Sequence, residues 1–132
     1  MRTLGTKPGG ALFEAGIDDP RAGSVDFLSV VALDSMSLVT SGSYQRFFTV
    51  DGKDYHHIID KNTLFPASGF ISVSVICADS ALADALSTSL FLMTVEEGMA
   101  LVESLDGVFA LWLLDSGEIR KSEGFERFIP NG

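Results

Sequence analysis

An Asp-Gly pair set between two strand-like runs constrains this chain more than any other feature. Tyr44-Gln45-Arg46-Phe47-Phe48-Thr49-Val50 leads into Asp51-Gly52, and Lys53-Asp54-Tyr55-His56-His57-Ile58-Ile59 leads away from it. Asp-Gly tolerates the positive φ angles of a type I′ turn, whose twist matches that of the strands it joins. The chain must therefore hold an antiparallel pair. A two-residue loop also fixes the register. Val50 faces Lys53, Phe48 faces Tyr55, Arg46 faces His57 and Tyr44 faces Ile59. Tyr44, Arg46, Tyr55 and His57 then share one sheet face, and His56 points to the other.

Further strands are expected on both sides of this hairpin. Gly5, Pro8, Gly9 and Gly10 mark a turn, and Ala11 to Ile17 reads as a short strand. Asp18-Asp19-Pro20-Arg21 is a loop, since Pro20 keeps Asp19 out of helical space. Ser24 to Leu33 is a strand with Val25, Phe27 and Val31 on one face and Leu28 and Val30 on the other, so both faces are expected to be covered. Asp34 and Ser35 turn the chain into a short extended run from Met36 to Thr40. Asp60 to Gly69 reads as an irregular loop. Ile71, Val73, Val75 and Cys77 alternate with Ser72 and Ser74, the pattern of a half-buried strand.

The period then changes. Asp79 or Ser80 caps a helix over about Ala81 to Met93, with Leu82, Leu86, Leu90 and Met93 at core spacing. Thr94-Val95-Glu96-Glu97 is a capping box for a second helix that ends near Ser104. Val108 to Leu114, with Trp112, is an apolar strand that turns at Asp115-Ser116-Gly117 into Glu118 to Lys121. Strands, two consecutive helices and a closing hairpin make an α+β fold, with the helices on one face of an antiparallel sheet.

Composition narrows the function. The 132 residues fit one domain, spanning 1–132, and are enough to bury a core without disulfides. Nine Lys and Arg stand against 18 Asp and Glu, a net charge of −9. That balance argues against a nucleic-acid binder and against an anionic membrane surface, and it suits cations or simple solubility. The single cysteine, Cys77, excludes an internal disulfide and reads as a buried small hydrophobe. No apolar stretch is long enough to span a membrane, and the first residues lack the apolar core of a signal peptide. An export signal, if the natural protein has one, lies outside this chain.

Three places carry chemistry. Asp84 interrupts an otherwise apolar or small helix, and Thr88 follows one turn later, so their oxygens share a helix face. Hard oxygen donors suit Mg2+ or Ca2+, although two do not complete a site. The alternative is that Asp84 simply faces solvent or bonds a nearby amide. His57 opposite Arg46 would be held neutral, as a general base or hydrogen-bond donor needs, or else it is a packing residue. Thr40-Ser41-Gly42 offers hydroxyl and backbone donors to a phosphate or ribose, or forms an ordinary turn. The chain holds no Walker, dinucleotide-fingerprint, zinc-ligand or nucleophile-elbow motif.

In order along the chain, these segments resemble the flavin transferase (ApbE) family, whose members are FAD:protein FMN transferases. Gly16-Ile17-Asp18-Asp19-Pro20 resembles its Gly-Ile-x-Asp-Pro segment, and Thr40-Ser41-Gly42-Ser43-Tyr44-Gln45-Arg46 its Thr-Ser-Gly-Asp-Tyr-Glu-Arg signature. His57-Ile58-Ile59-Asp60 resembles its His-Ile-Ile-Asp-Pro, and Ala83-Asp84-Ala85-Leu86-Ser87-Thr88 its Ala-Asp-Ala-Leu-Ala-Thr helix. The resemblance implies the C-terminal, T-fold-like half of such an enzyme. It implies that Asp84 and Thr88 bind Mg2+ and that His57 lies by the reacting phosphates. Thr40, Ser41, Gly42, Tyr44 and Arg46 would contact the flavin nucleotide. FAD is the implied substrate and a Thr or Ser of a target flavoprotein the acceptor of FMN. Hydrolysis of FAD to FMN and AMP, and a non-catalytic flavin- or metal-binding module, are the alternatives. The implied compartment is the cell envelope, where members are often lipoproteins. Lys61 stands in place of a family Pro, Leu64 of a Gly, Ser43 of an Asp and Gln45 of a Glu. The half of the flavin pocket that this chain does not resemble would come from an N-terminal partner segment, or a homodimer would cover the face left open.

Overall fold

The structure, a computed structural model, describes residues 1–21, 26–42, 47–50, 53–56 and 69–130, with 47–50 and 53–56 as backbone. Antiparallel pairing organises all of it. Strands β1 (Phe13–Asp18) and β2 (Phe27–Leu33) form one two-stranded ribbon. Strands β3 (Ser37–Gly42), β6 (Phe70–Cys77), β7 (Phe109–Leu114) and β8 (Ile119–Lys121) form a four-stranded sheet in the order β3-β6-β7-β8. Strands β4 (Phe47–Val50) and β5 (Lys53–His56) are the hairpin around Asp51-Gly52. Its register is the expected one, with Val50 opposite Lys53 and Phe48 opposite Tyr55. The Arg46–His57 and Tyr44–Ile59 pairs lie outside the described residues.

Between β6 and β7 run helices α1 (Ser80–Phe91) and α2 (Val95–Ser104). Both caps follow from sequence. The Asp79 carboxylate accepts the amides of Ala81 at 2.8 Å and Leu82 at 3.1 Å, so Asp79 rather than Ser80 opens α1. Thr94 and Glu97 form the full capping box of α2, with the Glu97 amide donating to Thr94 Oγ1 at 3.2 Å and the Thr94 amide to Glu97 Oε2 at 3.1 Å.

The four-stranded sheet is covered on both sides. On one face Val73, Val75, Cys77, Ala110 and Trp112 meet Ala83, Leu86, Leu90 and Phe91 of α1 and Val95 and Val102 of α2. On the other, Leu38, Ile76 and Leu111 meet Ala15, Ile17, Val31 and Leu33 of the ribbon, with Phe125 of the final 3-10 turn (Phe125–Phe128). The strand over residues 70–77 is therefore central, buried on both faces rather than half-buried, and Ser72 and Ser74 are inside. Alternation of Ser with Val marked a wet face in sequence. In the fold that face is covered too.

The ribbon departs from expectation the opposite way. Val31 and Leu33 are fully buried, but Val30 is exposed and Leu28 half-buried, so one face of β2 is open. Phe27 is exposed as well, with its ring lying over Gly16, where a Cβ would come within 2.3 Å of it. After β1, the Asp19 carboxylate holds the Arg21 guanidinium and accepts the Arg21 amide at 3.1 Å.

Helix α1 is turned relative to the Leu stripe. Its buried residues are Ala83, Leu86, Ser87, Leu90 and Phe91. Leu82 is 44% exposed and Met93 only partly buried. Leu86 and Leu90 belong to both patterns. The helix buries the side bearing Ala83, Ser87 and Phe91, because small residues at 83 and 87 bring its axis near β3 and β6.

Candidate functional site

Strand β3 and helix α1 place the candidate residues. On β3, side chains alternate between faces. Val39 packs with the helix-side core and Leu38 with the ribbon-side core. Ser41 therefore faces α1, whereas Thr40 lies on the other face, where its hydroxyl meets that of Ser74 at 2.7 Å. Thr40, Ser41 and Gly42 are strand residues, not a turn, with Gly42 buried opposite Ser72.

On α1, Asp84 and Thr88 both lie on the exposed side, one turn apart. The solvent-facing alternative for Asp84 is the observed one, so no buried charge demands a partner here. Two neighbours tie this exposed pair to the sheet. Ser87 is fully buried, and its hydroxyl donates to the Asp84 backbone carbonyl at 2.9 Å. Ser41 Oγ lies 2.7 Å from Ser87 Oγ and 3.5 Å from Thr88 Oγ1. The open side of α1 thus carries a carboxylate and a hydroxyl, with a second hydroxyl, that of Ser41 in β3, behind them.

His57, Tyr44 and Arg46 lie outside the described residues. Among the described residues no group of three or more His, Cys, Asp or Glu is arranged to hold a metal ion. Cys77 is buried, donates to the Asp79 carbonyl at 3.1 Å, and has its thiol pKa pushed up by that burial. It is the inert small hydrophobe expected.

Ser87 escaped the sequence reading. Its signal was present: spacing from Ala83 and Leu90 puts it on the buried side of α1, where a hydroxyl must find a partner.

A cavity of about 870 Å³ opens elsewhere, between the ribbon, the end of α2 and the final 3-10 turn. Leu12, Met36, Val108 and Phe109 line it, with Asp34, Glu103, Asp106 and Glu123 among its charged residues. Of the expected site residues, the described ones, Thr40, Ser41, Gly42, Asp84 and Thr88, do not line it.

The model of the ApbE family matches residues 1–112. The chain is 42% identical over 113 residues to an FAD:protein FMN transferase of Treponema pallidum, covering 85% of this chain and 31% of that protein. It is 33% identical over 105 residues to one from Klebsiella pneumoniae, covering 79% of this chain and 33% of that protein. Among solved structures, the ApbE protein of Thermotoga maritima superposes with a TM-score of 0.85 at 39% identity, over 95% of this chain and 40% of that one. The apo form of the Pseudomonas stutzeri flavinyl transferase ApbE gives 0.74 at 30% identity, over 99% of this chain and 41% of that one. The matched region thus spans 31–33% of the length of these two curated relatives. Among the described residues no helix is long and apolar enough to cross a membrane.

Proposed function

The chain belongs to the ApbE family, and from that premise we propose that it forms the cation-binding side of an FAD:protein FMN transferase site. The supporting observation is the Asp84–Thr88 pair on the open side of α1, with Ser41 of β3 beside Thr88. The donor set fits Mg2+. Its oxygens are hard, they face outward, and Mg2+ characteristically takes one or two protein oxygens and fills the rest of its shell with water and substrate phosphate. Asp84 and Thr88 would hold it, and it would supply Lewis-acid polarisation of the FAD pyrophosphate.

The remaining chemistry falls to the chain's own residues. The acceptor is a Thr or Ser hydroxyl of a target flavoprotein. Its oxygen forms a bond to the FMN phosphorus as the pyrophosphate P–O bond breaks and AMP leaves. The hydroxyl proton passes to His57, which acts as general base. Ser41 sits beside Thr88 in β3, where it and Gly42 would border the nucleotide with Tyr44 and Arg46, whereas Thr40 is turned to the other face of the strand. Positioning the hydroxyl in line with the leaving group, together with electrostatic stabilisation of the phosphates, supplies the acceleration in such a transfer. A cell-envelope location would agree with this role.

The test is transfer itself. The chain is incubated with FAD, Mg2+ and a Thr-containing flavoprotein acceptor, and the acceptor is weighed by mass spectrometry. A mass gain of one FMN, lost in Asp84→Ala and strongly reduced in His57→Ala, is the expected result. A gain that survives Asp84→Ala would refute the assignment of the pair.

A further inference from the structure

The hydroxyls behind the cation pair are wired in one direction. Ser87 has a single hydroxyl proton, and it goes to the Asp84 carbonyl 2.9 Å away. A carbonyl only accepts, so the sense of that bond is fixed. Ser41 Oγ stands 2.7 Å from Ser87 Oγ. With the Ser87 proton committed, Ser41 must be the donor in that contact. The Ser41 oxygen then has lone pairs to offer and no proton. Thr88 Oγ1 lies 3.5 Å from it, at the outer limit of a hydrogen bond, and with the Ser41 proton committed to Ser87 only Thr88 has a proton to turn toward that contact.

We propose that Ser41 and Ser87 are positioning residues that draw the Thr88 proton toward the sheet and so hold the Thr88 lone pairs on the open side of α1, facing a divalent cation beside Asp84. The chain runs Thr88 to Ser41 to Ser87 and ends on the backbone of Asp84, the other member of the pair. Ser87 is fully buried and Ser41 nearly so, so water does not compete for the bond between them, whereas the exposed Thr88 hydroxyl depends on Ser41 for its orientation. Outer groups that fix the orientation of a ligand commonly govern metal affinity as strongly as the ligand's own chemistry does. The inference rests on the reading of Asp84 and Thr88 as a cation pair.

The experiment titrates Mn2+ into the full chain, follows free Mn2+ by electron paramagnetic resonance, and repeats the titration in competition with Mg2+. Asp84→Ala tests the pair. Ser87→Ala and Ser41→Ala test the wiring. Ser74→Ala is the structural control, because it removes a hydroxyl contact of the same 2.7 Å length on the far face of β3, away from the pair. The expected result is loss of binding in Asp84→Ala, about tenfold weaker binding in Ser87→Ala and Ser41→Ala, and unchanged affinity in Ser74→Ala. The Ser41→Ala/Ser87→Ala double variant should bind no more weakly than Ser41→Ala alone, since both act through one chain of bonds. Wild-type affinity in Ser87→Ala, with binding lost in Asp84→Ala, overturns the wiring and leaves the pair standing. Equal weakening in Ser87→Ala and Ser74→Ala reduces Ser87 to a packing role and overturns it too. No Mn2+ binding by the wild-type chain, or unchanged binding in Asp84→Ala, overturns the cation pair and the wiring with it.

Discussion

The rotation of α1 about its own axis decides whether Thr88 comes near Ser41 of β3, and two leucines on that helix report it. Leu90 is fully buried against the sheet and α2, while Leu82, two turns earlier, is 44% exposed. Truncating Leu90 to Ala removes three carbons from a closed core. At about 0.8 kcal/mol per buried methylene, the transfer cost is about 2.4 kcal/mol. The cavity left behind adds to this, giving about 3 to 4 kcal/mol. The same change at Leu82 removes carbons that are only partly covered and leaves no cavity, because water fills the gap. The cost there is about 1 kcal/mol. With a urea m-value of about 1.5 kcal/mol/M, the midpoint should fall by about 2 M in Leu90→Ala and by about 0.7 M in Leu82→Ala. Parallel slopes would show that stability alone has changed. Equal midpoints in the two variants would refute the observed rotation. They would restore the Leu82-Leu86-Leu90 stripe to the core and turn the Asp84–Thr88 pair to the opposite side of α1, away from Ser41 of β3.

Other consequences are as direct. Gly98 lets α2 approach the sheet, since a Cβ there would come within 3.1 Å of the buried Trp112 ring and 3.2 Å of Leu90. Gly98→Ala should therefore lower stability by about 1 kcal/mol despite the better helix propensity of Ala, and a raised melting temperature would contradict this packing. Thr94→Ala removes half of the capping box and should cost about 1 kcal/mol in chemical denaturation, with no loss if the box is ornamental. Burial raises the Cys77 thiol pKa in the folded chain, so above the ordinary thiol pKa the unfolded chain gives up its proton first and stability falls as pH rises toward the folded value. Cys77→Ala should show a shallower loss over that alkaline window, and an identical slope would show that the thiol titrates alike in both states.

Local chemistry made much of this fold readable. Asp51-Gly52 set a register that holds at Val50–Lys53 and Phe48–Tyr55, and Asp79 and Thr94 marked the two helix starts within a residue. Burial was harder to read, because it depends on what lies across the sheet. Ser72 and Ser74 look like a solvent face until the β1–β2 ribbon covers them, and Val30 looks like core until nothing does. Leu82 misled for a related reason. A stripe of large residues suggests a face, but the small side chains of Ala83 and Ser87 decided how closely α1 could dock. At the site, spacing alone put Asp84 and Thr88 on one face. That Ser41 stands beside Thr88 is a long-range fact, since β3 and α1 meet only through the pairing of β3 with β6. Ser87 stayed hidden because a serine inside an apolar helix reads as filler until its partner is known.

The most direct test of the account is a calorimetric titration of FAD into the chain with and without Mg2+, repeated with Asp84→Ala. The account predicts FAD binding that strengthens with Mg2+ in the wild-type chain and a loss of that dependence in the variant. The same FAD affinity in both proteins, with and without Mg2+, would contradict it.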